Sequence, residues 1–219
     1  MAEELVSVII PTYNRFDRLK HAIQSVKSQT YSNIETIVIN DASTESKYYT
    51  EKVDGVLLIN LPVNNRVKYN TKAAQGMTRN YGLKVAEGNY VCFLDDDDYF
   101  LPRKIEVQVP IARIFGMCSS NMLYGQGAYD PSQKYELYFK QSLPAIFTKE
   151  TIASTNYVNN STVMMRKDIL QKVGYQKLLP REDYDYWKRS LEYCSCSYNR
   201  EPLIYYDLGC AKQYDYGSV

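Results

Sequence analysis

The sequence predicts an α/β protein with a mainly parallel sheet in its front half, an irregular back half, and one domain over all 219 residues. Three observations predict it. Short β-branched runs alternate with helix-spaced apolar residues through the front half, the signature of βαβ units. The last of these strand-like runs passes directly into four consecutive aspartates, Asp95 to Asp98. From Tyr124 onward the periodicity fades and tyrosine accumulates, with 14 of the chain's 22 tyrosines.

In chain order, Val6-Ser-Val-Ile-Ile10 reads as the first strand, stopped by Pro11. Leu19, Ala22, Ile23 and Val26 share one face of a helix of about three turns, and Asp17 in its opening turn complements the helix dipole. Glu35 to Ile39 is the second strand, Val56 to Ile59 the third, and a helix near Thr78 to Ala86 ends with Gly88 as its C-terminal cap. Tyr90 to Leu94 is the fourth strand. Ligands of an open α/β sheet collect beyond the carboxyl ends of its strands, so Pro11 to Arg15, Asn40 to Ser43 and Asp95 to Asp98 are placed to converge on one crevice. In the back half, a helix over Arg103 to Phe115 must accommodate Pro110, which should kink or shorten it. Gly116 and Gly125-x-Gly127 introduce mixed strand and loop, and a last helix covers Glu182 to Tyr193. No internal repeat or low-complexity linker divides the chain.

Composition narrows the chemistry. Lys and Arg number 26 against 25 Asp and Glu, and the basic residues are scattered, which excludes the electrostatic footprint of a general nucleic-acid binder. The single histidine, His21, cannot build a multi-His zinc site, and any Ser/His or Cys/His pair would have to use it. Carboxylates are left to carry the chemistry. The five cysteines, Cys92, Cys118, Cys194, Cys196 and Cys210, lack C-x-x-C spacing and point to a reduced, intracellular setting, with Cys92 packing as a small hydrophobe. The apolar run at Val6 to Ile10 is too short for a signal peptide or a membrane span, and no lipidation signal closes the chain, so the expectation is a soluble protein.

If the acidic run continued as a strand, Asp95 and Asp97 would face one way and Asp96 and Asp98 the other. Same-face carboxylates about 6.6 Å apart repel by roughly 2.5 kcal/mol at an effective dielectric of 20, which invites a cation. Hard oxygen donors without Cys or His suit Mg²⁺ or Mn²⁺. A solvated acidic turn with Asp98 capping the next helix is the alternative reading. A calcium loop fails, because Tyr99 and Phe100 stand where an acidic residue or Asn and then Gly are required.

Five segments in order, Pro11-Thr-Tyr-Asn-Arg15, Asn40-Asp-Ala-Ser43, Arg79-Asn-Tyr-Gly82, Phe93-Leu-Asp-Asp-Asp-Asp98 and Arg181-Glu-Asp-Tyr-Asp-Tyr-Trp187, resemble the inverting, family 2 type of GT-A glycosyltransferase. The similarity spans roughly residues 5 to 190. It implies a GT-A fold in a single domain, with a Rossmann-like nucleotide-sugar-binding half over about 1–100 and an acceptor and catalytic-base half over about 101–219. It implies a nucleotide-diphosphate-sugar donor, UDP- or TDP-sugar favoured, and a glycan or glycoprotein acceptor. It also implies a DXD motif, Mn²⁺ or Mg²⁺ as cofactor, and a place as the N-terminal domain of a longer, viral polypeptide in the host cytoplasm.

The roles the resemblance implies attach to single residues. Thr12 and Tyr13 match positions that cradle the base, with Tyr13 stacking on it, unless Tyr13 is a plain loop residue. Asp41 matches the carboxylate that accepts the base imide N–H, and an Asx-turn is the alternative there. Arg79 matches a residue beside the diphosphate, or else a helix-surface arginine, while Asn80 and Gly82 shape the helix start. Asp95 and Asp97 match the D-x-D pair, Asp95 near the ribose hydroxyls and both candidates for the metal. Asp96 joins the nucleotide-binding set, and Asp98 is the spare. Asp183 matches the general base, with Glu182 orienting acceptor or sugar; an acid-rich helix N-terminus is the bland alternative.

Direct displacement at an anomeric carbon needs a base on the acceptor hydroxyl and charge stabilisation for the departing diphosphate, and no enzyme nucleophile. With no histidine after residue 21, the metal would depend on aspartate, phosphate and water, and metal binding without nucleotide should be weak. Back-half tyrosines would stack on acceptor sugars or fill ordinary core. A sugar nucleotidyltransferase would need a Gly-rich loop after the first strand, and Pro11 to Arg15 has no glycine. A non-catalytic sugar-binding module is the third reading.

Overall fold

The computed structural model describes residues 3–211, with side chains to residue 209. The Cys210 side chain and Tyr214 and Tyr216 lie outside the described residues. The front half runs β1 (Val6–Thr12), α1 (Phe16–Lys27), β2 (Ile34–Asn40), α2 (Lys47–Thr50), β3 (Val56–Asn60), α3 (Asn65–Tyr69), α4 (Gln75–Val85) and β4 (Tyr90–Phe93). The back half continues with β5 (Tyr99–Phe100), α5 (Lys104–Phe115), β6 (Gly116–Gly125), β7 (Glu136–Leu137), β8 (Ile146–Phe147), a 3-10 turn at Asn160–Thr162 and β9 (Met164–Arg166). It ends with α6 (Lys167–Val173), α7 (Glu182–Ser190), β10 (Ser195–Asp207) and α8 (Leu208–Ala211).

One sheet carries all of this, in the order β3-β2-β1-β4-β9-β6-β10-β5, with β7 on β6 and β8 on β10. The front four strands are parallel, and β9 joins antiparallel between β4 and β6. The chain leaves β1 toward β2 and returns on its other side as β4, so a crevice opens at the carboxyl ends of β1 and β4. Side chains of β1 alternate into two apolar layers. Val6, Val8 and Ile10 face α1 through Phe16, Leu19 and Ile23; Ile9 joins the layer that holds Phe93, Met165 and Trp187. That second layer docks α7: Trp187 and Tyr186 are fully buried, and the Trp187 ring lies 6.1 Å from that of Phe93.

Several expectations are corrected by packing. Pro11 does not stop β1, which runs through Thr12 opposite Asn40. Leu94 donates to the Ile9 carbonyl and Asp41 to that of Thr12, so Pro11 presents its missing N–H to the β4 side, where that ladder has already ended at Phe93. Helix α4 ends at Val85, with Ala86 and not Gly88 as its C-terminal cap. Gly88 is required for close approach instead, since a Cβ there would lie 2.6 Å from the Ser7 nitrogen. Asn80 and Gly82 are mid-helix and not at its start; Gly82 lets α4 ride against Ile9, whose Cγ2 would meet a Cβ at 2.4 Å. Helix α5 runs unbroken through Pro110, an exposed position where the carbonyl left without a donor belongs to the equally exposed Glu106. Helix α7 stops at Ser190, short of Tyr193.

Candidate active site

The first wall of the crevice is the turn after β1, lashed to the turn after β2. Asn14, with a left-handed backbone at φ 52, accepts from the Thr44 and Glu45 N–H groups at 2.7 and 3.2 Å, and its own N–H donates to Ser43 Oγ at 2.9 Å. Thr12 Oγ1 donates to Asp96 Oδ2 at 2.7 Å and shares a 2.6 Å hydrogen bond with the Tyr48 hydroxyl. Tyr13, 40% exposed, lines the cavity beside them. Asp41 is not closing an Asx-turn; the turn after β2 is held by Asn40, whose side-chain oxygen accepts the Ser43 N–H at 3.0 Å. Asp41 Oδ1 instead accepts both the backbone N–H and the Nδ2 of Asn65, each at 2.9 Å. Ala42 (φ 57) and Arg181 (φ 58) repeat the left-handed strain of Asn14, so three of the four such non-glycine residues border site residues.

The acidic run departs from the expected alternation. The Asp98 N–H bonds the Asp95 carbonyl at 3.0 Å, closing a turn that brings Asp95, Asp96 and Asp97 to one cavity and sends Asp98 inward. Asp98 is a structural anchor: it accepts from Ser161 Oγ and from the Asp207 N–H at 3.3 Å. Arg15 Nη1 meets Asp97 Oδ2 at 2.7 Å and Asp96 Oδ1 at 3.2 Å. Arg79 is no surface arginine. It is 3% exposed and reaches Asp95 Oδ1 at 2.6 Å with one nitrogen and Glu182 Oε1 at 3.3 Å with another.

Arg79 therefore couples the acidic turn to the N-terminus of α7. Asp183 follows there, accepting the Tyr184 N–H at 2.7 Å and Asn156 Nδ2 at 3.3 Å. Glu182 and Asp183 do not line the cavity formed by Thr12, Tyr13, Arg15, Asp41, Arg79 and Asp95 to Asp97; they stand behind Arg79. Asn80 holds the approach to α7 by bonding both the carbonyl and the N–H of Gln176, each at 2.9 Å.

Burial governs the protonation of these groups. It pushes Asp96 up to about 7, helped by the neighbouring Asp97 charge and opposed by Arg15. Asp97 is raised by burial and by Asp95, again against Arg15, and Asp98 is raised well above the carboxylate range. Burial also lifts Asp41, Glu182 and Asp183; Asn65 and Thr78 oppose it at the first, Arg79 at the second, and the Tyr184 N–H with Arg79 at the third. A cavity that holds carboxylates toward neutrality favours any ligand bringing positive charge.

The donor set fits a divalent ion of the Mg²⁺ or Mn²⁺ kind. Asp95 and Asp97 offer hard oxygens to one cavity, and such ions take one or two carboxylates and complete their shell with phosphate and water. Among the described residues no group of three or more His, Cys, Asp or Glu is arranged to hold a metal ion.

The crevice thus collects Thr12, Tyr13, Asp41, Arg79, Asp95, Asp96 and Asp97, all named by sequence, and joins Glu182 to them through Arg79. It adds residues that sequence did not single out: Asn64, Arg66, Gln75 and Thr78 from α3 and α4, and Tyr206 and Asp207 from the end of β10. The Asn64 N-cap, whose side chain accepts from the Arg66 N–H at 2.9 Å, was a legible signal. Nothing local marks Tyr206 or Asp207.

The family model described as Glycosyl transferase family 2 matches residues 7–174. An uncharacterised glycosyltransferase of Rickettsia typhi is 30% identical over 210 residues, covering 91% of this chain and 63% of the relative. A second, from Rickettsia conorii, is 30% identical over 208 residues, and the chain spans only 33% of its length. The Escherichia coli UDP-Glc:alpha-D-GlcNAc-diphosphoundecaprenol beta-1,3-glucosyltransferase WfaP is 29% identical over 185 residues, 84% of this chain and 69% of that protein. Among solved structures, S. aureus TarS 1-349 in complex with UDP-GlcNAc superposes with a TM-score of 0.69 at 22% identity, covering 92% of this chain and 58% of that one. The mannosyltransferase PcManGT from Pyrobaculum calidifontis, in complex with GDP-Man and Mn²⁺, gives a TM-score of 0.62 at 13% identity over 93% and 56% of the two chains. Both likenesses speak to the fold, which is that of the GT-A glycosyltransferases.

Proposed function

The chain belongs to glycosyl transferase family 2, and from that premise we propose that it moves a sugar from a UDP- or TDP-sugar to a hydroxyl of a glycan or glycoprotein by one inverting displacement. Family membership makes it a glycosyltransferase and sets aside the nucleotidyltransferase reading. The observation that supports the proposal most is Arg79, which ties the cavity-lining Asp95 to Glu182, the chain neighbour of the candidate base Asp183.

In this reading Tyr13 and Asp41 take the base, the ring stacking and the carboxylate accepting an imide N–H. Asp95 and Asp96 lie toward the ribose, and Asp97 with Asp95 would hold Mn²⁺ or Mg²⁺. When bound, that ion supplies charge stabilisation for the leaving diphosphate. Asp183 takes the proton of the acceptor hydroxyl as its oxygen bonds the anomeric carbon and the bond to the diphosphate oxygen breaks. Burial raises its pKa above the ordinary carboxylate value, which makes it a stronger base. Glu182, kept by Arg79, orients sugar or acceptor.

The nucleotide-binding half over about 1–100, the acceptor half over about 101–219, a cytoplasmic setting and further domains of a longer polypeptide belong to the same proposal. The last is supported by the greater length of the relatives. No helix among the described residues is long and apolar enough to cross a membrane. A thermal-shift panel of UDP-, GDP-, TDP- and CMP-sugars, with and without Mn²⁺, tests the donor assignment, because a ligand that binds only the native state raises its apparent stability. UDP- or TDP-sugars should raise the melting temperature, and more so with Mn²⁺; stabilisation by GDP- or CMP-sugars alone would overturn the uracil or thymine assignment.

A further inference from the structure

We propose that the acceptor is a neutral oligosaccharide received by an aromatic row beside the donor cavity, with its terminal sugar ring against Tyr206 and its next ring over Tyr138. This deepens the transferase reading above and rests on it. Tyr206, the penultimate residue of β10, lines the cavity together with Asp95, Asp96 and Asp97. From it the rings of Tyr138, Phe139 and Tyr157 follow one another, with successive centroids 6.0, 5.0 and 6.2 Å apart. Tyr138 is 44% exposed, and the other three are half-buried.

The two ends of the row stand at the two groups that an acceptor must meet. Tyr206 is at the donor end. At the other, Tyr157 follows Asn156, whose Nδ2 donates to Asp183 Oδ2 at 3.3 Å, and the same loop returns to the acidic turn, where the Asp95 N–H donates to Ser161 Oγ at 3.1 Å. An acceptor hydroxyl must reach both Asp183 and the anomeric carbon, so the row borders the place its sugar occupies. The row is also held in advance. Asn121 of β6 clamps the Phe139 main chain, its Nδ2 donating to the carbonyl at 3.0 Å and its Oδ1 accepting the N–H at 3.1 Å, and the Tyr138 N–H donates to the Met122 carbonyl at 2.9 Å. Rings fixed before binding lose little freedom when a ligand arrives.

A sugar ring has an apolar C–H face and a rim of hydroxyls, and tyrosine matches it with an apolar ring and a polar tip. The Tyr206 hydroxyl has no hydrogen-bond partner among the described residues. Burial, with the charges of Asp98 and Asp95, pushes that hydroxyl up, so it stays a neutral phenol that can both donate to and accept from a sugar hydroxyl. Lys140, the cation flanking Tyr138 in the chain, is taken by Glu136 at 2.6 Å. The row therefore offers ring faces and hydroxyls rather than charge, which is the chemistry of a neutral sugar.

The test is an array of neutral and acidic glycans, from single sugars to hexasaccharides, read with labelled wild type, Tyr138→Ala and Tyr206→Phe in the presence of UDP and Mn²⁺, beside calorimetric UDP affinity. Wild type should retain neutral glycans, with disaccharides and longer chains ahead of single sugars. Tyr138→Ala should weaken that binding about tenfold while UDP affinity is unchanged, and Tyr206→Phe, which keeps the ring and loses the hydroxyl, should weaken it less. Circular-dichroism melting confirms that each variant is folded, and Tyr138→Leu, which keeps apolar bulk without a ring, carries the comparison if Tyr138→Ala is not. Binding confined to acidic glycans, or no glycan bound while UDP is, overturns the neutral acceptor and leaves the donor site standing. Glycan binding unchanged in the Tyr138 variant overturns the aromatic row. Wild type that binds no UDP sinks the donor-site reading itself.

Discussion

In the front half, Thr12 closes β1, Asp41 follows β2 and Asp95 to Asp97 follow β4, all at or just beyond strand ends, while Arg79 is carried by α4. In the back half, position comes from packing between distant segments. Glu182 and Asp183 open a helix that is held by Trp187 against Phe93, by the Tyr184 hydroxyl on the Ala153 carbonyl at 2.9 Å, and by Arg79. Asp207 closes β10 and is tied to Arg18 of α1, with Gly127 N–H donating to it at 2.9 Å. The first region presents its groups by backbone geometry, the second by side-chain contacts across the chain. The donor wall should therefore tolerate disturbance of the back half better than the base does.

Asp183→Asn gives the sharpest separation of the two regions. Turnover should fall about 10²- to 10⁴-fold, as loss of a general base does, while calorimetric UDP affinity is unchanged. Near-normal turnover with the true acceptor would remove Asp183 from the role. Arg79→Met attacks the link between the regions, leaving the Asp95 and Glu182 carboxylates without it. Breaking a buried pair by removing one partner costs about 3–5 kcal/mol, readable in urea denaturation. Adding Glu182→Gln should recover part of that loss, and an unchanged urea midpoint for Arg79→Met would show that the link carries no load.

Asp96 gives a pH signature confined to the front half. Burial holds its folded-state value at about 7, above the ordinary Asp value of about 3.9, so neutral Asp96 favours folding below pH about 4, and that contribution is lost as pH rises through about 7. Asp96→Asn should therefore gain stability relative to wild type as pH rises from 4 to 8, on the order of a few kcal/mol; a difference that stays flat with pH would contradict a buried carboxyl with a raised pKa. Smallest is the effect of chelation. Removing divalent metal should weaken UDP binding by about tenfold and leave α7 untouched. Equal affinity in chelator would free Asp97 of its metal role.

Much of the front half was legible because its determinants are short-range. Residues at helix spacing between β-branched runs specify βαβ units, and strand ends follow from where those runs stop. Arg79 shows the limit: its sequence is that of an amphipathic helix, and only the docking of α7 turns a surface position into a buried link. The acidic run shows another, since strand alternation would have split Asp95 and Asp97 from Asp96, whereas the Asp98-to-Asp95 turn gathers all three. The long strands β6 and β10 pair in parallel across many residues of intervening chain, and nothing in their local composition announces the partner.

The sequence by itself determined the class of chemistry. One histidine and a four-aspartate run leave carboxylates to do the work, and the order of five short segments marks the family. Tertiary structure decided which carboxylate does what. Asp98 is withdrawn into Ser161 and the Asp207 backbone, Asp95 goes to Arg79, and Asp96 and Asp97 share Arg15. These assignments depend on hydrogen-bond and charge partners up to 109 residues apart, whose meeting is set by sheet topology and burial; a carboxylate's role follows from its neighbours, and residue type alone cannot name them.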